Sequence, residues 1–210
     1  MLDSHLLIMR KAIWMAQAES KPSSAARAAN IVAKLGGRPI VLVGLMGAGK
    51  SAIGRKLAQA LGLPFLDGDT EIEKAADMPV ADIFEAYGEP EFRRLETNVM
   101  RRLLGEGELV LATGGGAFMG ETTRGAIKAA SVSVWLSADL DLLMARVMRK
   151  STRPLLQKPN PRAIMQELMD KRYPVYAQAD ITVQSQDVSK EAMADIVMTA
   201  LENHLDTPHP

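Results

Sequence analysis

Gly44-Leu45-Met46-Gly47-Ala48-Gly49-Lys50-Ser51 is the stretch on which the reading of this chain turns. It satisfies G-x-x-x-x-G-K-[ST] at every position, and its setting matters as much as the match. Before it, Ile40-Val41-Leu42-Val43 is a short β-branched apolar run, the pattern of a buried strand. After it, Ile53, Leu57 and Leu61 recur at helical spacing. A glycine-rich turn from strand to helix offers an anion a row of backbone N–H groups and the positive end of a helix dipole. Glycine also lets the backbone come close to phosphate oxygens. The segment therefore predicts an ATP site in which Gly47, Ala48, Gly49, Lys50 and Ser51 hold the phosphates. Lys50 supplies a point charge at the β- and γ-phosphates, and the Ser51 hydroxyl is a candidate ligand of Mg²⁺.

Outward from this loop the chain alternates. Residues 64–67, 109–113, 132–136 and 181–183 read as further strands. Helical patterns cover 83–104, with a break near Gly88, then 140–148 and 190–205. Strands separated by helices imply right-handed crossovers, hence an α/β fold with a parallel sheet between two helical layers. Residues 1–38 read as an N-terminal extension, partly helical or disordered, that is basic and carries no motif element. Residues 39–205 read as one P-loop domain and 206–210 as a tail.

Composition narrows the class less than the motifs do. The 210 residues are 47% hydrophobic and 24% charged with zero formal net charge, which gives no long-range basic field to favour nucleic acid. No apolar run reaches the ~18 residues of a membrane span. There is no cysteine, so disulfides and thiolate metal sites are excluded. The expectation is a cytoplasmic, monomeric enzyme with a small-molecule substrate. A P-loop alone does not specify the reaction. However, the chain has no N-K-x-D guanine motif, and 109–113 ends in glycines rather than in the acidic pair that polarises water in motor ATPases. That favours phosphoryl transfer to a bound acceptor over hydrolysis.

Several segments could build the acceptor site. Asp67-Gly68-Asp69 follows the second strand, where ligands of α/β sheets bind. Asp67 could hold the water shell of Mg²⁺ and Asp69 could orient an acceptor hydroxyl; a solvated, helix-capping acidic turn is the alternative. Asp69 is expected to have a low pKa beside Lys50 and Arg93. Arg93 and Glu96 share a helical face, as an exposed ion pair or as a carboxylate clamp held by Glu96. Gly114-Gly115-Gly116 at a strand end admits close approach of a small ligand. Arg146, Arg149, Lys150 and Arg153 form a cationic cluster, and the proline-rich stretch after it reads as a lid, 148–161, able to bring Arg153 to the transferring phosphoryl group. Arg172 is a second candidate carboxylate ligand.

In this order, GLMGAGKS, F-L-D-G-D, F-R-R-L-E, T-G-G-G, R-P-L-L and K-R-Y-P-V-Y resemble the shikimate kinase family, within the nucleoside-monophosphate-kinase-like P-loop group, over 39–205. The resemblance implies a five-stranded sheet ordered 2-3-1-4-5 and a small substrate-binding helical region at about 67–105. It implies transfer of the ATP γ-phosphoryl group to the 3-hydroxyl of shikimate, in aromatic amino-acid biosynthesis. Asp69, Arg93, Gly115, Gly116 and Arg172 would hold shikimate, with Phe84 and Phe92 walling its ring. Lys50, Ser51, Asp67 and Arg153 would serve the phosphates and Mg²⁺, and Arg146 would flank adenine. Lys50, Asp69 and Arg153 would be the catalytic groups. A kinase of another polyol acid, such as gluconate, or a ligand sensor with the same fold are the rival readings.

Overall fold

The computed structural model describes residues 23–149 and 159–207. The first 22 residues, Arg153 and most of the expected lid lie outside the described residues. Five strands, β1 (Ile40–Val43), β2 (Phe65–Asp67), β3 (Val110–Ala112), β4 (Val132–Ser137) and β5 (Ile181–Gln184), form one sheet. Their order is β2-β3-β1-β4-β5, and every pair is parallel. The helices that flank it are α1 (Ser24–Leu35), α2 (Lys50–Leu61), α3 (Gly68–Ala76), α4 (Val80–Leu104), α5 (Glu121–Ala130), α6 (Leu140–Met148), α7 (Pro161–Tyr176) and α8 (Lys190–Asp206), with a 3₁₀ turn at Ala117–Met119. This is the expected fold.

Burial follows strand position. β1 and β4 are buried at every residue, as strands covered on both faces must be. The edge strand β5 instead alternates buried Ile181 and Val183 with exposed Thr182 and Gln184. Register then decides where the loops emerge. Leu42 of β1 aligns with Ala112 of β3 and Val134 of β4, and Asp67 of β2 aligns with the same Ala112. The turns after β1, β2 and β3 therefore leave the sheet side by side.

Gly88 (φ 75°, ψ 174°) interrupts α4, which is two helical arms rather than one rod. α5 has no counterpart in the sequence pattern. Only Thr123 and Ile127 are buried along Glu121–Ala130, and Thr122, Thr123 and Gly125 are weak helix formers.

α1 falls within the segment 1–38 that the sequence sets apart, and it joins the core. Ser23 Oγ caps it at 3.2 Å and Gly36 (φ 60°) ends it. Ile31 and Leu35 are fully buried. Arg27 ties the helix to α8 through Glu202 (2.8 Å), Thr199 (2.7 Å) and Asp195. Apolar spacing announced the helix, but not whether it had anything to pack on. Ile31→Ala should destabilise the protein by about 2–5 kcal/mol in urea unfolding, the cost of an emptied core site, and leave substrate KM values unchanged in the folded fraction.

Candidate active site

The P-loop owes its shape to three glycines in the left-handed region, Gly44 (φ 136°), Gly47 (φ 87°) and Gly49 (φ 101°). A Cβ on Gly44 would lie 2.8 Å from the Leu136 carbonyl oxygen, so glycine is required there for space as well as for conformation. Lys50, largely buried, folds over the loop and donates through Nζ to the carbonyls of Gly44 (2.7 Å) and Leu45 (3.0 Å). Ser51 Oγ donates to Asp67 Oδ2 at 2.6 Å. Arg146 braces the loop from the other side. Its guanidinium donates to Ala48 O (3.2 Å), Ser185 Oγ (2.8 Å) and Gln186 O (2.6 Å), and burial lowers its pKa.

These groups open on a cavity of about 580 Å³. Gly47, Gly49, Lys50, Ser51, Arg146 and Gly115 line it, as do both Asp67 and Asp69. Ala48 does not line it; it is buried and contributes its carbonyl to Arg146 and Ser185. A larger groove of about 970 Å³ runs between α1, α2 and α8 and shares no lining residue with this cavity. Its cations are engaged by acids across the same groove, Lys56 by Glu191 and Arg27 by Glu202. It therefore offers an anionic ligand little uncompensated charge.

Beside the phosphate loop, Arg93 donates to Glu96 Oε2 at 2.7 Å and to Glu89 Oε1 at 3.2 Å. Glu96 is 3% exposed, and burial raises its pKa against the opposing pull of Arg93. The Arg93 guanidinium lies against Gly116, where a Cβ would meet Nη2 at 2.5 Å and Nη1 at 2.6 Å. Arg172 Nη1 donates to the Gly115 carbonyl at 3.1 Å. Two guanidiniums thus converge on one glycine strand end. Phe84 and Phe92 stack at 4.3 Å between centroids. Arg153 lies outside the described residues.

Asp69 differs from expectation. Its pKa is raised, first by burial and then by the Asp67 charge, which together outweigh Lys50 and Arg93. The residue presents exposed surface to the cavity, yet protein encloses the carboxylate on its other sides, so water solvates it poorly. Sequence spacing showed the nearby cations but not this enclosure.

The sequence also left several contributors unmarked. Asp187 and Val188, in the turn after β5, and Lys190, which opens α8, also line the cavity. A Cβ on Gly114 would lie 2.5 Å from Asp69 Oδ1, so this glycine makes room for the carboxylate. Tyr176 Oη donates to the Gly115 carbonyl. The tyrosine's spacing of four from Arg172 was the available signal.

The model of the shikimate kinase family matches residues 46–202. The shikimate kinase of Brucella canis is 56% identical over 172 residues, 82% of this chain and 86% of its own. That of Rhodopseudomonas palustris is 51% identical over 196 residues, 91% of this chain and 97% of its own. Among solved structures, the shikimate kinase of Acinetobacter baumannii in complex with shikimate is 38% identical with a TM-score of 0.75, covering 82% of this chain and 98% of that one.

A carboxyl whose folded pKa lies above its unfolded value keeps its proton longer in the folded chain. Ionised Asp69 therefore costs stability above its folded pKa, and the cost disappears below the ordinary value of 3.8. Asp69→Asn should raise the Tm of the ligand-free protein at neutral pH, with the gain shrinking to nothing as the pH falls through the carboxylate range. Calorimetry across that range checks it.

Proposed function

We propose that this chain, which belongs to the shikimate kinase family, transfers the γ-phosphoryl group of ATP to the 3-hydroxyl of shikimate at the cavity between the P-loop and the glycine strand end. The carrying observation is the convergence of Arg93 and Arg172 on Gly115 and Gly116 beside Asp69. Two guanidiniums suit a planar carboxylate, and a carboxylate group alongside suits a hydroxyl. An uncharged sugar would offer these two guanidiniums no charge to pair with.

The P-loop amides and Lys50 bind the phosphates, and Arg146 with the segment that carries Val188 faces the nucleotide's other end. The exposed apolar Val188 is the kind of surface a flat base packs on. Ser51 Oγ and Asp67 Oδ2, 2.6 Å apart, form an oxygen pair that fits Mg²⁺. Among the described residues no cluster of three or more metal-binding side chains exists. This suits an ion that takes few protein ligands and completes its shell with phosphate oxygens and water. When bound, Mg²⁺ neutralises phosphate charge.

In the reaction the acceptor oxygen forms its bond to the γ-phosphorus as the bond to the bridging oxygen of ADP breaks. Positioning and charge carry most of such a step. Asp69 orients the hydroxyl, and its raised pKa fits it to receive the proton as the new bond forms. Arg153 is assigned to the transferring phosphoryl group by the family resemblance. Zero net charge supports a small acceptor over nucleic acid. No helix among the described residues is long and apolar enough to cross a membrane. A cytoplasmic monomer remains the working picture.

The test is ADP release by the purified protein with shikimate, gluconate or neither. Shikimate alone should drive it, and release that ignores shikimate would sink the assignment. Shikimate methyl ester should lose about 2–5 kcal/mol of transition-state binding, because one desolvated charge pair is gone. Gly116→Ala should displace the Arg93 guanidinium and lower kcat/KM for shikimate by about 10²-fold, while calorimetric ATP binding stays as in the parent.

A further inference from the structure

The three glycine carbonyls of the strand end are held differently. Gly114 O accepts from Ala117 N at 3.3 Å, and Gly116 O accepts from Met119 N at 3.0 Å, both within the 3₁₀ turn. Among the described residues, the middle carbonyl, that of Gly115, accepts only from side chains, Arg172 Nη1 and Tyr176 Oη. The amides of Gly115 and Gly116 donate to nothing within the described protein. Three consecutive glycines have wide conformational freedom, and ordering them is costly. In a trans peptide the carbonyl of Gly115 and the N–H of Gly116 point in opposite directions. Anchoring the carbonyl therefore aims the amide.

We propose that Tyr176 is a positioning residue of the acceptor site, whose hydroxyl locks the Gly115 peptide and the Arg172 guanidinium into one rigid clamp for the substrate carboxylate. The inference rests on the acceptor site as read above. Tyr176 is 1% exposed and touches no open part of the cavity, so it acts through its two neighbours. Arg172 and Tyr176 lie one helical turn apart on α7 and therefore share a face. The Tyr176 ring is wedged between Phe118 of the 3₁₀ turn, 6.5 Å between centroids, and Trp135 of β4, 6.1 Å. A phenylalanine would satisfy that packing equally well. A buried hydroxyl is unfavourable unless bonded, so its presence marks the carbonyl it serves. Burial pushes the Tyr176 phenol up to about 12, which keeps it a donor across any working pH.

Tyr173 supplies the matched control. It is on the same helix, its hydroxyl donates to the Ala138 carbonyl, and its ring meets Trp135 edge-on at 4.9 Å. It removes the same chemical group away from the glycine clamp.

Tyr176→Phe and Tyr173→Phe are compared with the parent for KM and kcat on shikimate, on its methyl ester and on ATP. Tyr176→Phe should raise the shikimate KM about tenfold, leave the ATP KM within about twofold, and erode the preference for acid over ester by the same tenfold. Tyr173→Phe should leave the acid-to-ester preference at the parent's value. A Tyr176→Phe enzyme with the parent's shikimate KM overturns the proposal. So does one in which acid and ester lose equally, since a general structural role would do that. An unfolded Tyr176→Phe chain beside a folded Tyr173→Phe chain also overturns it, because the hydroxyl would then be a requirement of the fold. A parent enzyme with no shikimate-dependent ADP release removes the functional reading and this inference with it. A parent that turns over shikimate, beside an unaltered Tyr176→Phe, removes this inference alone.

Discussion

Parallel register along one row of the sheet, with Leu42, Ala112 and Asp67 in line across β1, β3 and β2, is the constraint on which the site depends. Because the strands end together, the P-loop, the acidic turn and the glycine strand end leave the sheet as neighbours. Thr113 fastens the row by donating through both N (3.1 Å) and Oγ1 (3.0 Å) to the Leu42 carbonyl. A slip of one residue would turn every side chain to the opposite face and separate Ser51 from Asp67. The central strand can hold this position because β1 is apolar throughout and buried on both faces.

On that platform, stability and function make opposed demands. Asp69 and Glu96 are carboxyls whose burial raises their pKa, an arrangement a protein selected only for stability would avoid. Each is accommodated by a glycine nearby or an arginine partner. Gly114 leaves space for Asp69, Gly116 for Arg93, and Arg93 answers Glu96. Residues with side chains would strengthen the strand end but would close the approach on which small-ligand binding relies. Rigidity is recovered from outside the loop, through hydrogen bonds from α7 to the Gly115 carbonyl. The helix, in turn, is seated by the contacts of Tyr173 and Tyr176 with Trp135 on β4.

Much of this was legible in the order of residues. The P-loop octapeptide, the apolar run before it and the helical spacing after it gave strand, turn and helix without tertiary information, since each is a local pattern. The break at Gly88 and the strand at 132–136 were readable for the same reason. α5 was not, because Thr122, Thr123 and Gly125 are weak helix formers and the tertiary packing of Thr123 and Ile127 overrides that local preference. Nor was the packing of α1, whose apolar stripe needs α2 and α8 to become a core contact. The pKa of Asp69 was expected in the wrong direction. Charges can be counted along a sequence, but the water excluded around a carboxylate cannot.

Sequence alone determined the phosphate loop, the parallel α/β class and the residue types of the acceptor site, because these rest on local spacing and on chemistry that few residues can perform. Tertiary structure decided which of those residues meet. Arg93 and Arg172 are far apart along the chain and converge only because α4 and α7 both reach the end of β3. Tyr176 acquires its part only once that convergence exists. Its hydroxyl is one of three tyrosine hydroxyls in the sequence, and the fold alone brings it to the one carbonyl of the three-glycine strand end that no described backbone amide holds.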